Sequence, residues 1–397
     1  MIITSSICRK ILIGAAVIFG LNSHPVRSQE NPTYNVARSA IGTNLFYLDS
    51  QGTLTSAATQ AIKSPAVLVG DDEVISYNLP AGKSLMVVEL PAESPVKYVT
   101  FFNDSLQGTT SLSWARSRAD ADSGKWQQGP EQLSNQNGPV TLPLPSGTTI
   151  QFLRLAFDVT RGGRISGLGI AGFYPNAPAP GPENLIRSET PDQPLTSVVS
   201  FGSSASIIAT TPIQQSAVET MIDDLVDTHV DLAPSNRHRA VLIDLGEARE
   251  VQQISTLTQN SPGDARVYFV ADPDKILPAL GNPAQGSGIT PVIMNNFDPA
   301  QLGDDIPFIN LPARPGQSGV SLPIQARMTR YALFVWPPGA NPIRVFELNL
   351  LGQYEWTWNR DNLSSPAEGP QIQPGQFSPN LGSINPPDIL SNVPLSP

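Results

Sequence analysis

The chain has 397 residues, 15% charged and 40% hydrophobic, enough apolar material for two or three cores and too few charges for a wholly disordered polymer. Acidic residues outnumber basic ones, 34 to 24, which argues against nucleic acid or an anionic membrane as partner. The 39 prolines and 31 glycines punctuate short apolar runs, and long helical periodicity is nearly absent, so the chain reads all-β.

Residues 1–28 read as a secretory signal peptide. Arg9 and Lys10 precede the apolar run Ile11–Leu21, which is too short to span a bilayer. Val26 and Ser28 satisfy the small-residue rule for a cut before Gln29. An uncleaved anchor is the alternative, but Asn22, His24 and Pro25 end the run early. The expectation is a secreted, periplasmic or extracellular protein without membrane insertion after cleavage. The single cysteine, Cys8, lies in this segment, so the rest of the chain has no disulfide or thiol chemistry. Without Arg9, Lys10 and Arg27, 21 basic residues face 34 acidic ones, a net charge of −13.

Two long segments follow, 31–174 and 184–358, joined by the proline-rich stretch 175–183. They repeat one another. Asn44-Leu45 and Leu54-Thr55-Ser56 return as Asn184-Leu185 and Leu195-Thr196-Ser197. Asp71-Asp72 followed by the apolar run Ser84–Leu90 mirrors Asp223-Asp224 followed by Ala240–Leu245. Phe152–Phe157 and Tyr331–Trp336 occupy the same place before the endings Arg164–Leu168 and Arg344–Leu348. A repeat this long is a tandem domain rather than a solenoid unit. Ala240–Leu245, stopped by Gly246, and Val251–Leu257 are expected as successive strands. Val292-Ile293-Met294 and Phe308-Ile309 are expected as short strands inside a long Gly/Pro/Asn-rich loop, 272–323, whose shorter counterpart is 120–145. Trp114 is expected in the core and Trp126 as a loop anchor. Residues 359–397, rich in Pro, Asn, Ser and Gly, are expected to be disordered.

The acidic turn Asp223-Asp224-Leu225-Val226-Asp227-Thr228, the phrase Ile243-Asp244-Leu245-Gly246 and the ending Arg344–Gly352 resemble the discoidin, or coagulation-factor type C, domain of the galactose-binding-like superfamily. His229 and Val230 stand near the place where that family usually has a tryptophan. The resemblance is carried by the second segment; the first follows through the internal match. It implies two tandem galactose-binding-like (jelly-roll) β-sandwiches. It also implies a structural calcium in the second, held by Asp224, Asp227, Thr228 and Glu347; calcium takes six to eight oxygens and suits such a mixed set. The alternative is that these carboxylates only cap and solvate a loop. Gly167 stands where Glu347 stands, so no equivalent site is expected in the first copy.

The resemblance further implies sugar contact by a His/Arg cluster beside an aromatic ring, here His229, Arg237, His238 and Arg239 with Trp336. The arginines could equally solvate a turn, and Trp336 could belong to the core. Trp356 and Trp358 could form a platform or cover the sandwich edge, and Asn103 and Asn362 fit the glycosylation acceptor pattern. Beyond residue 28 there are two histidines, no cysteine and no nucleophile-elbow, zinc or phosphate-loop motif, so the expectation is a binding protein and not an enzyme. Its expected partner is a glycan or a cell-surface or extracellular protein. The rival readings are a structural or protein-binding adhesion module of an envelope or matrix, and a hydrolase with an unrecognised site.

Overall fold

Strands make up nearly all the regular structure, as the short apolar runs predict. The computed structural model describes residues 33–356 apart from 49–53, 58–63, 130–131, 135–136, 174–184, 191–192, 201–202, 215–216, 272–274, 277–290, 304 and 315–316. The signal peptide, the 175–183 linker, the 359–397 tail, Trp358 and Asn362 therefore lie outside the described residues.

The first segment contains β1 (Tyr34–Asn35), β2 (Asn44–Leu48), β3 (Leu54–Ser56), β4 (Ser76–Leu79), β5 (Gly82–Asp104), β6 (Gln107–Ala115), β7 (Gln127–Gln128), β8 (Gln132–Ser134), β9 (Gly138–Pro143), β10 (Thr149–Arg161) and β11 (Gly163–Gly172). The second contains β12 (Leu185–Arg187), β13 (Thr196–Ser197), β14 (Ser206–Thr210), β15 (Val230–Leu232), β16 (Arg239–Gln259), β17 (Ala265–Val270), β18 (Val292–Ile293), β19 (Phe308–Leu311), β20 (Gly319–Trp336), β21 (Ile343–Gly352) and β22 (Tyr354–Trp356). Their central orders correspond: β11-β5-β10-β6 in the first and β21-β16-β20-β17 in the second. Phe152–Phe157 and Tyr331–Trp336, matched in the sequence, lie on β10 and β20, the third strand in each of these orders.

Each sandwich folds its longest strand across both layers. β5 pairs with β10 through Gly82–Glu89, then bends and pairs with β11 and β9 through Val96–Asn103. In β16, Arg239–Asp244 pairs with Trp336–Tyr331 of β20, and Gln253–Gln259 pairs with β21. The two strands expected at 240–245 and 251–257 are therefore one strand with a bend between Asp244 and Arg249. Gly246 sits in that bend at φ 80°, and a side chain there would collide with Ser204.

Alternation along the strands sends one apolar row between the layers. Val88, Leu90, Phe101, Leu153, Leu155 and Ile170 lie in the first core, with Trp114 among them as expected. Val241, Ile243, Ile254, Phe334, Val345 and Leu348 lie in the second. The opposite row is also covered. In the second sandwich Met294, Phe297, Leu302 and Ile306 of the 272–323 loop pack on Leu242, Tyr268, Leu333 and Val335. In the first, Ala121 and Trp126 do the same over Val87 and Phe152. The described parts of these loops thus add a third layer rather than a free binding loop. The expected short strands are present as β18 and β19, whereas residues from Gly319 onward belong to the central strand β20. Asn103 is fully buried with its amide bonded to both the N–H and the carbonyl of Leu106, so it offers no accessible glycosylation acceptor.

The sandwiches share an interface built by exchange of turns. The first sandwich's turn at Asp71–Val74 enters the second. There the side chains of Gln253 and Ser321 donate to Asp72 (2.5 and 2.7 Å), and Asn349 donates to the Asp71 carbonyl and the Glu73 carboxylate (2.7 and 2.6 Å). The second sandwich's turn at Asp223–Asp227 enters the first, where Asn35 donates to the Asp224 carbonyl (3.1 Å) and Thr141 to the Asp227 carboxylate (3.0 Å). Phe102, Val226, Leu257 and Phe346 close an apolar cluster between them, with Phe102 and Phe346 edge-to-face at 5.6 Å. Truncating Phe346→Ala removes a ring that is 1% exposed and should cost about 3–5 kcal/mol. The full chain should unfold in one calorimetric transition whose van't Hoff and calorimetric enthalpies agree. Two separate transitions, with Phe346→Ala shifting only one, would show that the sandwiches are independent.

Candidate functional site

Carboxylates gather at the exchanged turns. Asp71 and Glu73 from the first sandwich and Asp224 and Glu347 from the second are all buried, together with the Arg38 guanidinium. Arg38 forks onto Asp71 (3.2 and 2.7 Å) and donates to Asp224 (2.9 Å) and the Ser200 hydroxyl (2.7 Å). The Trp356 ring lies against its guanidinium at 5.0 Å, so Trp356 covers this edge rather than offering a platform. One guanidinium cannot neutralise four carboxylates. Both oxygens of Glu347, one of Glu73 and one of Asp224 have no hydrogen-bond partner among the described residues. Burial pushes the Asp224 carboxyl up to about 7 against the pull of Arg38. Burial first, then neighbouring negative charge, pushes Glu73 and Glu347 well above the usual carboxylate range.

Of the four expected calcium ligands, the fold brings Asp224 and Glu347 together and leaves Asp227 and Thr228 apart from them. The Thr228 hydroxyl donates to Asp223 (2.9 and 3.0 Å), which ties off the turn, and Asp227 accepts from Thr141 across the interface. Arg38 already places a positive charge against one oxygen of Asp224. Among the described residues no group of three or more metal-ligating side chains is arranged to hold an ion. The expected set of four therefore does not fit calcium as a unit.

The expected sugar-contacting residues also separate. Trp336 is 1% exposed and stacks on Phe334 in the core, so its ring is not available at the surface. Arg239 is equally buried and donates to the carbonyls of Asn341 and Pro337 (2.7 and 3.0 Å), fixing the loop after β20. His229 leans on Phe346 at 5.6 Å, beside the interface. Arg237 and His238 remain together. Arg237 is exposed and donates to Asn296 (2.7 Å), while burial, reinforced by Arg266 and opposed by Asp298, lowers the pKa of half-buried His238.

Arg266 leads to a ring that sequence reasoning did not single out. Its guanidinium lies over Phe308 at 5.2 Å, and Phe308 packs against Tyr268 at 5.2 Å while staying 43% exposed. Tyr268 and Phe308 are direct partners in the pairing of β17 with β19, and Arg266 faces Asn310 on the same side. The signal was present as alternation: Arg266/Tyr268 and Phe308/Asn310 each occupy one face of a short strand. The result is a patch with an exposed ring, a guanidinium above it, and His238 within electrostatic range of both that guanidinium and Asp298.

No protein family and no curated protein matches the chain. Solved structures are similar to it at low identity. A fucolectin from striped bass (Morone saxatilis) serum is 10% identical, with 81% of this chain and 99% of that one covered, at a TM-score of 0.25. Allantoicase from Saccharomyces cerevisiae is 9% identical over 81% and 94%, at 0.28. A chitosan-binding module of a chitosanase/glucanase from Paenibacillus sp. IK-5 is 10% identical over 39% and 98%, at 0.26.

The junction makes stability depend on pH. Carboxyls with ordinary values of 3.8 and 4.5 are raised on folding, so above those values the folded protein holds protons that the unfolded chain has released. Stability should therefore fall as pH rises above about 4, by up to about 1.4 kcal/mol per pH unit for each such group, the Asp224 part of the loss running through about 7. Melting in chelator should occur at higher temperature at about pH 5 than at about pH 8. Calcium that raises the melting temperature at about pH 8 would show instead that a cation neutralises the cluster. Arg38→Met strands Asp71 and Asp224 and should cost about 3–5 kcal/mol in denaturant unfolding.

Proposed function

We propose that the chain is a non-catalytic carbohydrate-binding protein that acts outside the cytoplasm, and that the second sandwich contacts sugar through the Phe308 patch. The observation that carries this is the exposed Phe308 ring capped by Arg266. A large aromatic left open on a strand can cover the C–H face of a pyranose, and a guanidinium beside it bridges neighbouring hydroxyls. His238, within electrostatic range of Arg266 and Asp298, supplies a further donor or acceptor. The residues sit on a β-sheet backed by a packed third layer, which holds such a site without ordering cost on binding. The resemblance drawn from the acidic turn and the last strand points the same way.

The test is calorimetric titration of the full chain with neutral oligosaccharides chosen from a glycan array. Phe308→Ala should weaken binding by about tenfold, roughly 1.4 kcal/mol, and Arg266→Ala by a similar factor, with no change in melting temperature. Unchanged affinity in Phe308→Ala would remove the patch from the reading. Turnover of a polysaccharide would make the chain an enzyme. Capture of an extracellular protein with no glycan bound would favour the adhesion module.

A further inference from the structure

A cavity of about 310 Å³ opens where the end of β17 and the middle of β20 meet the covering loop. Its floor and walls are Phe269, Ile306, Pro307 and Met328, and its polar groups are Arg327 and the Lys275–Asp305 ion pair. Arg327 lies 5.9 Å from the Phe269 ring. Its Nε is buried and has no hydrogen-bond partner among the described residues. Arg330, by contrast, forks onto Asp244 (3.0 and 3.2 Å), whereas Arg249, paired with Glu247 at 3.1 Å, also has a buried Nε without a hydrogen-bond partner among the described residues. A buried donor left open costs stability unless something accepts from it. Arg327 lines the cavity, and a guanidinium can grip a planar carboxylate with two parallel bonds.

We propose that this cavity binds a sugar-sized carboxylate, with the Arg327 fork gripping the carboxylate and the Phe269–Pro307 wall packing on the ring's apolar face. Charge selects the class. Among the described lining residues Arg327 carries the one unbalanced charge, since Lys275 and Asp305 pair with each other. A single carboxylate balances that charge, whereas a dianionic phosphate monoester leaves an excess negative charge beside Asp305. Size agrees, since the volume stands at the lower end of small-ligand sites, roughly 300–1,000 Å³. A uronic acid, free or at the end of an acidic polysaccharide, has the required chemistry. The cavity is separate from the Phe308 patch, and the proposal does not rest on that reading.

The experiment is titration calorimetry of the full chain with galacturonate, galactose, galactose 6-phosphate and a short oligogalacturonide. Galacturonate should bind with a Kd on the order of 1 mM or tighter, and galactose at least about tenfold more weakly. Arg327→Gln should reduce galacturonate binding by about tenfold or more, and Arg327→Lys should recover part of it, because it keeps the charge and loses the fork. Lys275→Ala, an exposed position, should also weaken binding, since it unmasks Asp305. Phe308→Ala should leave it unchanged, which keeps failure here distinct from failure of the patch. Tighter binding of the oligosaccharide than of the monomer points to a polysaccharide source, and equal binding to a free acid. The proposal is overturned if, with the patch removed by Phe308→Ala, galactose or the phosphate binds as well as galacturonate, if nothing binds, or if Arg327→Gln binds galacturonate normally.

Discussion

The Arg38 guanidinium holds one carboxylate from each sandwich, Asp71 and Asp224, in a place closed to water. Everything at the junction is arranged around that charge. The turns bearing the two aspartates each enter the opposite sandwich, where Asn349 donates to the Asp71 carbonyl and one Glu73 oxygen and the Ser197 N–H donates to the Asp71 carboxylate. Such an ion triad is weak evidence of net stability, because desolvating the charges offsets most of their attraction. Its effect is to specify which turn meets which sandwich. Apolar contact of Phe102, Val226, Leu257 and Phe346 then supplies the area term that favours association.

The two candidate ligand sites lie away from this junction, on a part of the second sandwich that has three layers. Phe308 and Arg266 stand on strands whose partner residue Tyr268 is fixed by the covering loop. The Arg327 cavity lies between that same loop and the sheet. Ile306 joins them, since it anchors the loop in the covering cluster and also lines the cavity. The covering loop is thus a scaffold for both sites, which explains why its apolar residues recur at wide spacing among polar ones.

Much of the fold was legible because it rests on local rules. Apolar runs between turn residues located the central strands, and the internal repeat alone paired Phe152–Phe157 with Tyr331–Trp336, which lie on the equivalent strands β10 and β20. Trp114 in the core and Trp126, held beneath Arg154 at 4.6 Å, could also be read. The bend in β16 was not legible, since a glycine after an apolar run stops a strand as often as it kinks one. Nor were the partners of the acidic turn. Asp224 and Glu347 meet Arg38 and Glu73 from more than a hundred residues away, and no local pattern encodes that. Trp336 and Arg239 were misplaced for one reason. Residues at the end of a strand look exposed in sequence, but here the loop 337–341 folds back over them and Arg239 is fastened to its carbonyls.

Gly167 decides how the two sandwiches can meet. It occupies the position of Glu347 and adopts φ 56°, and a side chain there would strike Val226 at 2.4 Å and Glu73 at 3.1 Å. The first sandwich has room for the incoming turn only because that position is bare. The exchange of turns is therefore one-sided at this position: the second sandwich carries a buried carboxylate, Glu347, where the first must carry no side chain at all.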